Sequence, residues 1–394
     1  MSGRTILAFN PGSSSIKFGL FEVAPGGPRS RGSGTVDLSH TPLSLTLKEG
    51  EDSQDIPMRA ARTDDLHDVI AEALATVTER LEIADLAAVG HRVVHGGDRF
   101  MGPVAITDET LAEIEALVPL APLHQPNSLR LIRAVQHLRP ALPQTASFDT
   151  AFHAGQSNLV RRFALPRALF DEGIKRYGFH GLSYAFIAER LRRTEPALAA
   201  GRVVVAHLGS GASLCGMIAG VSRDTTMGFS TLDGIPMETR SGALDPGVVL
   251  HLIKARSMSV EAVEEMLYHG AGLLGVSGLS SDPRDLLESE DPVAREALAL
   301  FAFRTAREVA AVATTLGGLD GLVFTGGLGQ HQPAIRAAIV QHLGWLGVAI
   351  NNQANARDAV RIDSGGPVAV LVLATDEAHV IAAEAMATLG LGAA

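Results

Sequence analysis

The run Thr5-Ile6-Leu7-Ala8-Phe9-Asn10-Pro11-Gly12-Ser13-Ser14-Ser15 opens the chain, and Val203-Val204-Val205-Ala206-His207-Leu208-Gly209-Ser210-Gly211-Ala212-Ser213 repeats its design in the second half. Each is a short apolar strand ending in a glycine/serine turn. Gly12 and Gly19 bracket a window of the same length as Gly209 and Gly216, so each turn leads back into a second strand. A third turn, Thr325-Gly326-Gly327-Leu328-Gly329, follows the apolar run Leu322-Val323-Phe324. Small residues let backbone N–H groups approach an anion closely, and a run of such groups forms a phosphate cradle. One glycine turn alone is ordinarily a hairpin. Three, each at the end of a buried-looking strand, predict an enzyme of nucleotides or polyphosphates.

The 394 residues exceed the usual single-domain ceiling of about 250–300, which predicts two domains. An apolar content of 46% with 41 glycines suits an α/β protein with many tight turns. The net charge of −10, with no dense Lys/Arg face, argues against a nucleic-acid partner. A charged fraction of 19% without repeats or polar tracts argues against disorder. Cys215, the only cysteine, excludes an internal disulfide and a cysteine-based zinc site. The longest apolar stretches, such as Val368 to Ala374, are far too short for a membrane span, and the N-terminus lacks the shape of a signal peptide. A soluble, cytoplasmic protein with no membrane partner is the expectation.

Strand-like and helix-like patterns alternate along the chain. Leu66, Val69, Ile70, Ala73, Leu74, Val77 and Leu81 recur at helical spacing and predict one apolar stripe. A strand over Ala87–Val94 follows, closing with Gly96-Gly97. Thr107 reads as an N-cap ahead of Asp108 and Glu109, with Leu111, Ile114, Leu117 and Val118 on one face. Pro119, Pro122 and Pro126 predict an extended, rigid loop around His124. The pattern restarts after Gly201, so a domain boundary is expected within 150–200. The alanine-rich helix after Asp376 has no periodicity that assigns it to either half.

Candidate chemistry lies between the turns. Arg92 ends an apolar strand in His91-Arg92-Val93-Val94-His95-Gly96-Gly97, and Asp149 is the one carboxylate in Phe148-Asp149-Thr150-Ala151-Phe152-His153. His180 is flanked by glycines in Tyr177-Gly178-Phe179-His180-Gly181, Arg240 lies in a loop, and Glu377 directly follows an apolar strand. Taken singly, each has a plain structural account: surface ion pairs for the arginines, hydrogen-bonded core histidines for His180 and His124, a cap or turn role for Asp149, and a helix-dipole partner for Glu377.

Their order and wording together resemble the acetate kinase family nearly end to end. The resemblance is carried by Asn10-Pro11-Gly12-Ser13-Ser14-Ser15-Ile16-Lys17-Phe18, the Arg92 and Asp149 segments, Pro119-Leu120-Ala121-Pro122-Leu123-His124 and Arg176-Tyr177-Gly178-Phe179-His180-Gly181. It continues in His207-Leu208-Gly209, Asp224-Thr225-Thr226-Met227-Gly228-Phe229, Thr239-Arg240-Ser241-Gly242 and Phe324-Thr325-Gly326-Gly327. The resemblance implies an α/β protein of two similar actin-like (ribonuclease H-like) domains, residues 1–150 with a C-terminal helix 378–394, and residues 151–377, with a nucleotide cleft between them. It also implies a homodimer, and reversible transfer of the γ-phosphoryl group of ATP to acetate, giving acetyl phosphate and ADP.

By the same resemblance Arg92, Asp149, His180 and Arg240 are catalytic. Arg92, Val94, Leu123 and Phe179 bind the acid, with His124 as a second donor near His180. Lys17, His207, Gly209, Ser210, Gly211, Gly326, Gly327 and Gly329 hold the nucleotide phosphates, and Asp282 and Arg284 its ribose or adenine. Asn10, Asp149 and Glu377 hold Mg²⁺ or Mn²⁺. The chain departs from the family wording at Ser210, Pro283, Glu238, Gln125, Ala378, Gln330 and His331, and Leu182 and Tyr184 stand in a usual Gly-Thr-Ser-His run. Propionate or butyrate is the competing acceptor, pyrophosphate the competing donor, and an actin-like ATPase scaffold the reading outside this class. A P-loop enzyme is excluded because no Gly-x-x-x-x-Gly-Lys-Ser/Thr occurs.

Overall fold

The computed structural model describes residues 4–12, 15–38, 42–50, 52–60, 66–81, 83 and 85–392, so Ser13 and Ser14 of the first turn lie outside the described residues. The chain forms two compact units, residues 1–152 with 376–394, and residues 153–375.

The first unit is built on an eight-stranded sheet of β1 (Thr5–Pro11), β2 (Ser15–Ala24), β3 (Gly27–Asp37), β4 (Ser44–Glu49), β5 (Asp52–Pro57), β6 (Leu86–Val93), β7 (Val104–Ala105) and β8 (Gln144–Phe148). Their order is β5-β4-β3-β2-β1-β6-β8-β7. β1 and β2 form the antiparallel hairpin that the first turn predicts, with Asn10 opposite Lys17. β1, β6 and β8 run parallel, which brings their carboxyl ends to one edge. The helix Leu66–Arg80 buries Val69, Ile70, Ala73, Leu74 and Val77 against this sheet. The helix Glu377–Thr388 packs on β1, β6 and β8. Gly90 makes that approach possible, since a β-carbon there would stand 2.5 Å from Ile381 Cγ2.

The second unit carries β9 (Arg202–Leu208), β10 (Ala212–Ile218), β11 (Val221–Thr225), β12 (Gly321–Thr325) and β13 (Ala369–Val372), in the order β11-β10-β9-β12-β13. This repeats β3-β2-β1-β6-β8 strand for strand: an antiparallel hairpin, then two parallel neighbours. The doubled strand–turn–strand signal of the sequence is therefore a doubled sheet core.

Two local expectations are corrected. The prolines after Leu117 do not leave His124 in an extended loop. A 3₁₀ turn spans Val118–Leu120, and His124 is the N-cap of the helix Gln125–Leu138, because Pro126 sits in the first turn, where its missing N–H has no helical partner to lose. The third glycine turn is wound further than a turn, since Gly326–His331 forms a short helix directly after Thr325. Thr107, by contrast, caps Asp108–Glu115 as its sequence predicts, in a reciprocal box with Thr110. Among the described residues no helix is long and apolar enough to cross a membrane.

Candidate active site

In the first unit the parallel strands deliver three side chains to one edge. Asn10 lies on the last turn-ward residues of β1, Arg92 near the end of β6, and Asp149 directly after β8. In open α/β sheets ligands bind beyond the carboxyl ends of the strands, so this edge is where chemistry is expected. Arg92 donates from Nε to Asp149 Oδ1 at 2.9 Å and from Nη2 to Oδ2 at 2.6 Å, a bidentate fork. Its Nη1 donates to Asn10 Oδ1 at 2.9 Å, and Asn10 Nδ2 donates to Glu377 Oε2 at 2.6 Å. The Asp149 side chain is only 1% exposed, and the Arg92 guanidinium shares its burial. Burial opposes the Arg92 charge, but Asp149 and Glu377 outweigh it and raise its pKa above the ordinary arginine range.

The strand behind Arg92 is fixed by buried polar contacts. His91 Nε2 meets Gln144 Oε1 at 2.7 Å and its ring stacks on Phe9, while burial lowers its pKa to about 4. Gln125 accepts from the His95 N–H at 3.1 Å and donates to the His95 carbonyl at 2.9 Å, clamping the segment that carries Val94. Val94 is 6% exposed, whereas Leu123 is 44% exposed, so of the two expected wall residues in this unit only Val94 is fixed by packing. Lys17 is exposed on β2. Glu377 begins the last helix, beside the N-cap Asp376.

In the second unit the segment before His180 is pinned from several sides. Arg176 donates to Asp233 Oδ2 at 2.9 Å and to the Thr225 and Thr226 carbonyls at 2.7 and 3.0 Å. His153, kept neutral by a burial-lowered pKa of about 4, holds the Phe179 carbonyl at 3.0 Å. Phe179 itself is buried. His180 is the N-cap of the helix Gly181–Thr194 in a left-handed conformation, φ 58° and ψ 23°. A β-substituted residue held there stores strain of about 1–3 kcal/mol, a frequent mark of a functional position. Its Nδ1 lies 2.8 Å from Ser213 Oγ, and its ring stacks on His207 with centroids 4.4 Å apart.

Arg240 reaches the same place from a loop. A β-carbon added at Gly211 would stand 3.4 Å from His180 Nε2 and 3.7 Å from Arg240 Nη1, so both groups border one stretch of bare backbone. Gly209 N–H closes that turn onto the Gly211 carbonyl at 3.2 Å, with Ser210 exposed at its tip. Arg240 is held by the Thr231 carbonyl at 3.3 Å and Met237 Sδ at 3.7 Å, and among the described residues no carboxylate forks it. Burial lowers its pKa, against a partial rise from Tyr268 and Glu238. Gly326 touches the same turn: at φ 78° its α-carbon is close enough to β9 that a β-carbon would fall 2.5 Å from the Leu208 carbonyl. Fully buried Arg336 braces the Gly326–His331 helix by donating to the Gly329 and Gln330 carbonyls at 2.9 and 2.7 Å. Asp282 and Arg284 pair with each other, Asp282 also capping the helix Pro283–Glu288.

The structure thus brings together Asn10, Arg92, Asp149 and Glu377 in one unit, and His180, His207, Gly209, Gly211, Arg240 and Gly326 in the other. Asp282 and Arg284 stand as a separate pair. Sequence reading gave no role to Ser213 or Arg176, which lie inside quoted segments, noted Tyr184 only as a departure from the family wording, and passed over Arg336, which has no local pattern.

The donor set suits a hard cation. Among the described residues no three His, Cys, Asp or Glu side chains cluster as a metal cage. Two carboxylates and an amide carbonyl would suit an ion that keeps several waters. Asp149 keeps lone pairs beyond those given to Arg92.

The sequence profile described as the acetokinase family matches residues 5–383. The chain is 46% identical over 385 residues to an acetate kinase of Rhodopseudomonas palustris, covering 96% of each. A crystal structure of a propionate kinase from Francisella tularensis superposes with TM-score 0.90 at 34% identity, covering 97% of this chain and 98% of that one. Porphyromonas gingivalis acetate kinase superposes with TM-score 0.86 at 32% identity, covering 98% of this chain and all of that one.

Proposed function

The chain belongs to the acetokinase family, and we propose on that premise that it transfers the γ-phosphoryl group of ATP to acetate, reversibly, giving acetyl phosphate and ADP. The observation that carries this reading is the pairing of His180 and Arg240 around the bare backbone of the Gly209–Gly211 turn, a histidine and a guanidinium beside a turn suited to cradle phosphate.

An acetate carboxylate is already ionised at pH 7, so the reaction needs no strong base. One carboxylate oxygen forms a bond to the γ-phosphorus as the bond to the β-phosphate oxygen breaks, and ADP departs with that electron pair. The obstacle is repulsion between two anions, and catalysis reduces to positioning and to cations spread over the transferring group. Arg92, oriented by Asp149 and Asn10, binds the acid's carboxylate, with Val94 against its methyl group. Arg240 and His180 donate to the equatorial phosphoryl oxygens. The glycine turns and His207 hold the donor's phosphates. Asn10, Asp149 and Glu377 would hold Mg²⁺ or Mn²⁺, which supplies charge neutralisation to the nucleotide phosphates when bound. A homodimeric state and a cytoplasmic setting belong to the same proposal, and size-exclusion chromatography tests the first.

A second acceptor is favoured by the apolar side chain of Val94 and by the likeness to a propionate kinase. One methylene in an apolar pocket discriminates by only about 10–200-fold. Trapping acyl phosphate as its hydroxamate, with acetate, propionate and butyrate each run against ATP, GTP and pyrophosphate, tests the whole proposal. Acetyl hydroxamate formed with ATP is expected. No product from any pair overturns it.

A further inference from the structure

We propose that Tyr184 and Ser213 fix the tautomer of His180, holding its proton on Nε2, the nitrogen that borders the Gly211 turn. Tyr184 lies one helical turn beyond His180, and its backbone N–H donates to the His180 carbonyl at 3.1 Å. Its phenol oxygen lies 2.5 Å from Ser213 Oγ, and Ser213 Oγ lies 2.8 Å from His180 Nδ1. Ser213 stands on β10 directly opposite His207, whose ring stacks on His180, so the imidazole is held by its face and by one edge. Both hydroxyl residues are fully buried.

The direction of the chain follows from acidity. A phenol is a far stronger donor than an alkyl hydroxyl, so where the two meet the phenol donates. Burial first, then the nearby Cys215, hold the Tyr184 pKa well above its usual value, against the Ser213 hydrogen bond, so its proton stays in place to be donated. Ser213, having accepted from Tyr184, has its own proton left for His180 Nδ1. A neutral imidazole that accepts at Nδ1 carries its proton at Nε2. The opposite tautomer would aim a lone pair at an arriving phosphoryl oxygen. Tyr184 occupies a position where the family wording has histidine, and the phenol is the less ambiguous donor because an imidazole can place its proton on either ring nitrogen.

Tyr184 and Ser213 are positioning residues in this scheme. The consequence for turnover rests on His180 donating to the phosphoryl group as proposed above, whereas the tautomer itself does not. The test is a two-bond ¹⁵N–¹H correlation spectrum of the full-length enzyme labelled in its histidines, with the His180 signals assigned by their loss in His180→Gln. The expected wild-type pattern is that of an Nε2–H imidazole. Tyr184→Phe is expected to give a tautomer mixture and to lower kcat by ~10-fold with the KM for acetate unchanged, the scale on which partners orienting a ligating histidine act. Ser213→Ala is expected to do the same and serves if Tyr184→Phe does not fold. A wild-type Nδ1–H pattern, or folded variants that keep the wild-type pattern, overturns the proposal. The spectrum needs no turnover, so a chain that forms no acyl phosphate would still report on this inference alone.

Discussion

Arg92 and Arg240 occupy units with the same strand order, yet their surroundings are opposite. Arg92 is forked by a buried carboxylate, bonded to an amide and near a second carboxylate, and its charge is over-compensated. Arg240 is buried against a carbonyl and a thioether, and its charge is under-compensated. The difference assigns two kinds of work to one residue type. A compensated arginine is fixed in direction and shares its site with the anionic groups that a divalent cation needs. An under-compensated one keeps its field for a ligand, at a cost in desolvation that an incoming phosphoryl group relieves.

The sharpest way to break this contrast is to truncate each arginine. Arg240→Ala is expected to cut turnover by about 10³-fold, the scale of a transition-state arginine, while chemical denaturation shows stability unchanged or raised. A folded variant with near-normal turnover would refute its role. Arg92→Ala is expected to lose turnover and also about 3–5 kcal/mol of stability, because Asp149 would stay buried without the Arg92 guanidinium. Equal stability losses in the two variants would erase the distinction. Asp149→Asn sharpens it from the other side: turnover falls and the Mg²⁺ needed for half-maximal rate rises by about 10–100-fold, read from metal titrations of initial rate. An unchanged Mg²⁺ dependence would remove Asp149 from the cation's ligands. The smallest effect is expected at Val94→Ala, a shift toward propionate and butyrate of about 10-fold relative to acetate. Acetate and butyrate rates changing in parallel would show that Val94 touches no acid.

The parts of this architecture that sequence makes legible are those encoded over a few residues. Alternating apolar runs with glycine turns specify both hairpins, helical spacing specifies Leu66–Arg80, and Thr107 announces its own cap. Glycines at Gly326–Gly329 read as a turn although they wind into a short helix, because backbone permissiveness allows both. The proline cluster misleads, since Pro126 reads as a breaker until its first-turn position is known. Pairings across long separations leave no local mark. Asn10 and Glu377 are 367 residues apart, and nothing in either segment states that one amide will bond the other's carboxylate. That no carboxylate among the described residues forks Arg240 is equally invisible, because Glu238 two residues away suggests one. Resemblance supplied the site residues; only tertiary structure distinguishes their electrostatic states.

The helix Glu377–Thr388 belongs to the unit that starts the chain, although residues 153–375 intervene. During synthesis that inserted stretch leaves the ribosome as one uninterrupted piece, and its sheet can close while translation continues. The amino-terminal sheet must wait with the bare surface at Gly90 uncovered until Ile381 emerges. Birth order and completion order are therefore inverted, and a nascent chain stalled short of its final helix would display an unfinished first unit beside a finished second one.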